Sequence, residues 1–339
     1  MRVLNLFLVL FGTLLITIVI FGPILDKVLL QNVRTQVVDE VNEKQLKFQH
    51  LGEKQKYLNN EINYRIKTLG LNEAWYSPTK LFSRLISVMT LNLGKSYFLT
   101  TDFGSSDVRD IILEKVPKTL LLFSVSTLLS IFIGIMLGTY VAGRRNSVWD
   151  KSNSIFAIFS SSFPMWWIAM LMIFLFAFTL QVFPARATLT SSPADPNYLL
   201  DLTYHMMLPL ITITLVSFGS WAFTVRYFLA NILEEDYIRA KRIIGISKKK
   251  VLYSHALRNA APPIITAVGL SLAAIFGGSI IVEAVFDWPG MGKLYYDAIG
   301  LLDYPVIIGL TYLSTLIFVI VVFIIDLLYT FLDPRVKIF

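Results

Sequence analysis

The chain has no cysteine and only 3 histidines in 339 residues. Without thiols there is no disulfide framework and no thiolate metal centre. His50, His205 and His255 are scattered and share no metal-ligand spacing. Charged residues make up 16% of the chain, against about 25% in an ordinary soluble domain. No G-x-x-x-x-G-K-[ST] segment occurs: Gly292-Lys293 lacks the earlier glycine and is followed by Leu294, so a P-loop for ATP is excluded. Ser160, Ser161 and Ser162 sit in no G-x-S-x-G elbow, and serines inside an apolar run bond backbone or a neighbouring helix. These absences leave no catalytic residue and no metal site to expect.

What the chain has is apolar length. It is 55% hydrophobic, with a mean hydropathy of +0.64. A span of about 20 apolar residues crosses roughly 30 Å of hydrocarbon. Six runs meet that length, at 4–24, 119–142, 155–182, 206–230, 264–285 and 306–332. The first is read as a retained span rather than a signal peptide, because its apolar core is long and no small-x-small cleavage site follows it. Few ionisable residues fall within the runs. Glu283 and Asp326 lie towards the ends of the fifth and sixth. A carrier driven by protons or sodium ions places charges near the bilayer midplane, so an external energy source is expected.

The net charge of +7 raises nucleic acid as a partner, but the cations sit beside apolar runs, where membrane topology accounts for them. With both ends cytoplasmic, the inner segments carry Arg2, then Arg144, Arg145 and Lys151, then a dense basic stretch, then Arg335 and Lys337. The short outer loops carry only Arg186 and Lys293. The expected fold is therefore an all-α polytopic membrane protein with six transmembrane helices, N-in/C-in, and a long helical extracytoplasmic loop after the first span. Its segments are a first span at 1–24, an outer loop at 25–118, a five-helix core at 119–332 with a cytoplasmic loop at 231–261, and a cytoplasmic tail at 333–339. No nucleic-acid partner is expected; the lipid bilayer is.

In the outer loop, Leu30, Val33, Val37, Val41, Phe48, Leu51, Leu58, Ile62, Ile66 and Leu69 recur at helical spacing, which predicts an amphipathic helix or helical hairpin with Gly52 as a possible break. Either it packs on its own subunit or it offers a platform to an outer partner. Gly134 and Gly138 in the second span, and Gly269, Ala273 and Gly277 in the fifth, let helix backbones approach closely. After the fifth span, Asp287-Trp288-Pro289-Gly290 and Gly292 force a re-entrant or surface turn. Trp288, Tyr295 and Tyr296 there suit an interfacial aromatic belt.

The basic stretch at 226–263 holds Arg226, Arg239, Lys241, Arg242, Lys248, Lys249, Lys250 and Arg258. Its spacing predicts two short helices. Gly245 is placed in the left-handed position after the first, Ser247 caps the second, and the second ends at Ala261 before Pro262 and Pro263. The charge can simply hold the loop inside; its length, caps and apolar face also suit a docking element.

The pattern Arg226, Asp236-Tyr237-Ile238-Arg239, Arg242, Gly245, Ser247, His255-Ala256-Leu257-Arg258-Asn259 and Pro263 resembles the cytoplasmic coupling loop of ABC-importer permeases, closest to the dipeptide/oligopeptide branch. Leu69-Gly70-Leu71, Asn92-Leu93-Gly94-Lys95-Ser96, the 286–294 turn, Asp303-Tyr304-Pro305 and Asp333-Pro334-Arg335 extend the resemblance over about 69–339. Lys241 departs from it, standing where the family has a small residue.

The resemblance implies a non-catalytic permease subunit of an ATP-driven importer in the cell membrane. Two ATPase subunits would dock on Glu235, Asp236, Tyr237, Arg239, Ala240, Lys241, Gly245, Ser247, His255 and Arg258. ATP and magnesium would be bound by those subunits, with no cofactor in this chain. A second homologous permease would pack along Gly269, Ala273 and Gly277, and an extracytoplasmic binding protein would deliver the peptide. The same architecture also carries oligosaccharides or metal chelates. From another class, a membrane-anchored sensor would use the outer loop for ligand and the basic loop for an effector.

Overall fold

The computed structural model describes residues 2–43, 51–191, 195–275 and 278–332, which are helical apart from turns and one isolated bridge between Lys95 and Asp107. The chain divides into two compact units: Met1–Ile112 with Ala298–Leu316, and Leu113–Asp297 with Ile317–Phe339.

In the first unit, α1 (Arg2–Glu43) runs through Pro23 without a break and carries the first apolar run directly into the segment that follows it. Against it packs α2 (Leu51–Thr68), joining Leu29, Leu30, Val33 and Val37 to Leu58, Ile62, Ile66 and Leu71. This is the helix pair that the spacing predicts. Gly52 lies inside α2, so it does not divide the two helices. Arg65 ties the pair by bonding Glu40 at 2.8 Å and Glu61 at 3.0 Å. A third helix, α3 (Pro78–Met89), is fastened to α1 by one buried carboxylate: Asp26 accepts from Lys80 at 2.6 Å and from Arg84.

The second unit starts within α4 (Val108–Ala142), followed by α5 (Val148–Ser162) and α6 (Met165–Met172), which continues as a π-helical turn over Ile173–Thr179. The long apolar run at 155–182 is therefore not one straight span. It bends by 96° between α5 and α6. Pro164 is the cause: it forces Phe163 into extended backbone (φ −104, ψ 139), which ends α5, and then itself begins α6. The Ser161 and Ser162 hydroxyls donate to the Ile158 carbonyl at 3.0 and 2.7 Å, as serines within a span are expected to.

Next come α7 (Tyr198–Leu233), α8 (Asp236–Ile243) and α9 (Lys248–Lys250), which passes through a π-helical turn at Val251–Ala256 into α10 (Leu257–Ala274). The helix does not end at Ala261. Pro262 and Pro263 lie inside α10, and the Pro262 carbonyl accepts from the Thr266 hydroxyl at 3.0 Å. The chain closes with α11 (Ile280–Phe286), α12 (Met291–Leu301) and α13 (Tyr304–Leu332).

Among the described residues, α4, α7 and the 304–324 part of α13 are long and apolar enough to cross a membrane, and the bent α5–α6 pair makes a fourth candidate. The fifth apolar run is divided between α10 and α11, with 276–277 outside the described residues. The side chain of Asp326 and the whole of Asp333-Pro334-Arg335 also lie outside them.

Two cores hold the second unit. One gathers Leu122, Met172, Leu208, Phe286 and Trp288; the other Ala142, Val225, Leu229, Ile238, Val251 and Ala260. Along α4, at 1.5 Å per residue, they sit about 30 Å apart. Between them α4 and α7 touch backbone to backbone. A Cβ on Gly134 would meet Trp221 Cβ at 2.3 Å, and one on Gly138 would meet the Ala222 carbonyl at 2.5 Å. The glycine pair of the second span thus serves packing inside this chain.

Candidate functional site

The basic loop is built from three local devices. α7 stops at Leu233, and a turn through Glu234 and Glu235 leads into α8. Asp236 opens α8 and Lys241 and Arg242 close it, each charge at the helix end that favours it. The end is a Schellman motif: Ile246 N–H donates to the Lys241 carbonyl at 3.2 Å and Gly245 N–H to the Arg242 carbonyl at 3.1 Å. Gly245 has φ +89, the left-handed backbone expected of it. The Ser247 hydroxyl then caps α9 by accepting from Lys250 N–H at 3.4 Å.

These devices fold the loop onto its own spans. Ile238, Val251 and Ala256 are buried against Val225 and Leu229, with Tyr237, Ile246 and Leu257 packed around them. The tip points the other way: Ile243 is 86% exposed and Ile244 78% exposed. Around it Glu235, Asp236, Arg239, Ala240, Gly245, Ser247 and Arg258 are exposed.

Lys241 spans the two arms. Its ammonium lies 2.8 Å from His255 Nδ1, donating to the unprotonated nitrogen, and 5.8 Å from the centre of the Tyr237 ring. Burial, and then repulsion from Lys241 and Lys250, hold His255 below its ordinary pKa. The lysine that replaces a small residue in the family pattern is therefore a bridge, and the arms stay packed. The Asn259 amide donates to the Tyr237 hydroxyl, joining two further positions of the motif.

Behind the loop lie pairings that the sequence did not reveal. Asp150, buried on α5, takes the Arg226 guanidinium in two bonds of 2.8 and 3.0 Å and accepts from Asn146 N–H at 2.9 Å. Arg145 pairs with Glu234, and Arg144 lies 3.7 Å above the Tyr140 ring. Asp150 is 76 positions from Arg226, so only the doublet of one buried acid and one motif arginine could have hinted at the pair.

The turn after α11 has a different logic from the one its composition suggests. Trp288 does not sit in an interfacial belt; it is fully buried. Its indole N–H donates to the Lys118 carbonyl at 3.0 Å, which satisfies the polar edge and lets the ring join the Leu122–Phe286 core. Tyr296 remains 58% exposed. Asp287 takes the left-handed position (φ +57). Burial works against its charge, but the Thr188 hydroxyl and the Lys293 ammonium hold its carboxyl below the usual range.

Pro289 and the glycines bring the chain over Glu283. This buried carboxylate accepts from the Thr119 hydroxyl at 3.0 Å, Gly292 N–H at 2.8 Å and Lys293 N–H at 3.2 Å, while Met291 N–H donates to the Thr119 oxygen at 2.7 Å. A Cβ on Gly290 would stand 2.3 Å from the Glu283 carboxylate. Glu283 thus has a structural pairing role. Of the small-residue stripe, Gly269 is half-buried on α10, the Ala273 side chain lies outside the described residues, and so does Gly277.

In the first unit the structure joins two more motifs. Asp303 is buried and accepts from the Ser96 hydroxyl at 2.6 Å, Tyr97 N–H at 3.1 Å and Phe98 N–H at 3.0 Å. His205 is buried on α7 with Nδ1 2.9 Å from the Asp201 carbonyl, a packing role; His50 is outside the described residues. No group of three His, Asp or Glu among the described residues is placed to hold a metal ion.

Residues 131–338 match the family described as binding-protein-dependent transport system inner membrane component. Two Bacillus subtilis (strain 168) proteins are similar to the chain. The oligopeptide transport system permease protein AppB is 34% identical over 242 residues, covering 70% of this chain and 76% of AppB. The dipeptide transport system permease protein DppB is 36% identical over 245 residues, covering 70% and 76%. By this match and these relatives, the chain belongs to the inner membrane components of binding-protein-dependent transport systems.

Proposed function

We propose that the chain is the permease subunit of an ATP-driven importer and forms half of a translocation pathway for peptides handed over by an extracytoplasmic binding protein. The family supports the architecture, and the names of AppB and DppB favour peptides as cargo over oligosaccharides or metal chelates. In this reading the chain crosses the cell membrane six times, N-in/C-in. Residues 1–24 are the first span, 25–118 the outer loop, 119–332 the core with its cytoplasmic loop at 231–261, and 333–339 the tail.

The observation that carries the mechanism is the exposed Ile243–Ile244 pair, presented at a turn whose backbone is fixed on both sides. Two large aliphatic side chains in water, rimmed by Arg239 and Arg242, mark a docking tip. Two ATPase subunits dock on the loops of this chain and of a second, homologous permease, engaging Glu235 to Lys241, the Gly245–Ser247 turn, His255 and Arg258. ATP and magnesium are held there, outside this chain. Closure of the ATPases draws the loops together. Motion passes through the Ile238–Val251–Leu229 core into α7 and α10, and the pathway alternates between its two sides. Solute passes between the two permeases along the face of Gly269, Ala273 and Gly277.

The test is uptake. The chain is reconstituted with its genomic neighbours, and labelled short peptides, an oligosaccharide and a metal chelate are offered outside. ATP-dependent uptake of peptide alone is expected. Uptake without ATP by this chain alone overturns the importer reading, and uptake of the other cargo overturns the peptide assignment.

A further inference from the structure

Beside the loop lies a cleft of about 720 Å³ that shares only Arg242 with the docking tip. Its walls come from the end of α4, the end of α7 and the start of the helix at Lys248. One wall is apolar, with Ala142, Ala230, Leu233 and Leu252. The other carries Arg144, Arg145, Arg242, Lys248 and Lys249 against a single acid, Glu234. Arg145 already engages that acid. Among the described residues no carboxylate pairs with Arg144, Arg242, Lys248 or Lys249. The Arg144 guanidinium is held in place at 3.7 Å from the Tyr140 ring. Four uncompensated cations in one cleft repel one another, and an anion with a hydrophobic body would satisfy both walls.

We propose that this cleft binds the phosphate headgroup of an anionic phospholipid from the cytoplasmic leaflet, with acyl carbon against the Ala142–Ala230–Leu233 wall. The inference rests on the importer topology above, which sets the ends of α4 and α7 at the inner membrane surface. Basic pockets at the cytoplasmic ends of spans suit anionic headgroups. A soluble anion would use the cations and leave the apolar wall unexplained. Arg242 and Lys248 flank the 243–247 turn, so a bound headgroup neutralises charge on both sides of the docking tip. Coupling then depends on membrane composition.

The experiment uses the complex purified with its genomic neighbours and reconstituted into nanodiscs of phosphatidylcholine with an equal share of phosphatidylglycerol. Lipid retained on this chain is read by native mass spectrometry. A variant combining Arg144→Gln, Lys248→Gln and Lys249→Gln is compared, since all three side chains are exposed and, among the described residues, none is paired with a carboxylate. Wild type is expected to retain phosphatidylglycerol at least about fivefold over phosphatidylcholine. The variant is expected to lose that preference while its ATPase subunits stay bound.

An unchanged preference in the variant overturns the proposal. So does a variant that keeps the lipid and sheds the ATPases, which would assign these cations to an acidic protein surface. Inorganic phosphate that stabilises the complex in pure phosphatidylcholine as strongly as phosphatidylglycerol does would also overturn it in favour of a soluble anion. A wild type without ATPases that still prefers phosphatidylglycerol supports the lipid site and counts against the importer reading alone.

Discussion

The Lys241 ammonium reaches across the basic loop to His255 Nδ1, 2.8 Å away, so one arm of the loop holds the other through a bond that requires a neutral imidazole. Burial and the neighbouring cations lower the His255 pKa from 6.5. Just below pH 6.5 the folded loop therefore binds fewer protons than the unfolded chain. Its stability should be constant above that pH and fall as the pH drops through it. An NMR titration of His255 should give a midpoint below 6.5, moving upward in Lys241→Ala. A midpoint that ignores Lys241 would remove the bridge from the account.

Glu283 is a structural acceptor for a hydroxyl and two backbone N–H groups. Glu283→Gln keeps one carbonyl oxygen for the N–H pair and should lower the thermal midpoint in detergent only slightly. Glu283→Ala strands buried donors, each costing about 1–3 kcal/mol, and should destabilise severely. Equal effects of the two would point to a need for charge at this position.

The Asp150–Arg226 doublet sets the base of the loop. Asp150→Ala leaves Arg226 unpaired at a site where its side chain is 23% exposed, and should cost about 1–3 kcal/mol. Arg226→Lys replaces a two-bond fork with a point charge and should cost less. A double-mutant cycle read by thermal unfolding checks the pairing, and additive losses would contradict it.

Having no cysteine, the chain allows topology to be mapped by single insertions. Arg145→Cys and Lys249→Cys should react with an impermeant maleimide only after the cells are opened. Tyr296→Cys, 58% exposed, should react in intact cells. Labelling in the reverse order would contradict the N-in/C-in arrangement.

The loop was readable in the sequence because its signals are local. A glycine that must take positive φ and a serine that must cap lie within three residues of the helix ends they serve. The Glu40–Arg65 helix pair was readable from apolar spacing for the same reason. Elsewhere the deciding partner was distant. Trp288 looked interfacial by composition and is buried because the Lys118 carbonyl, 170 positions away, meets its N–H. Asp150 carried no sign of its arginine. The α5–α6 bend had its signal in Pro164, masked by the unbroken apolar run around it. The pair Pro262–Pro263 misled in the opposite sense, since a helix already begun at Lys248 carries them within it.

The most direct test of the account is co-purification of the ATPase subunits with this chain, wild type against Gly245→Pro. Proline fixes φ near −65°, far from the +89° at this position, and removes the N–H that donates to the Arg242 carbonyl. Docking at the turn predicts ATPases with the wild type and their loss from the variant, with the membrane core still folded. ATPases retained equally by the variant would contradict it.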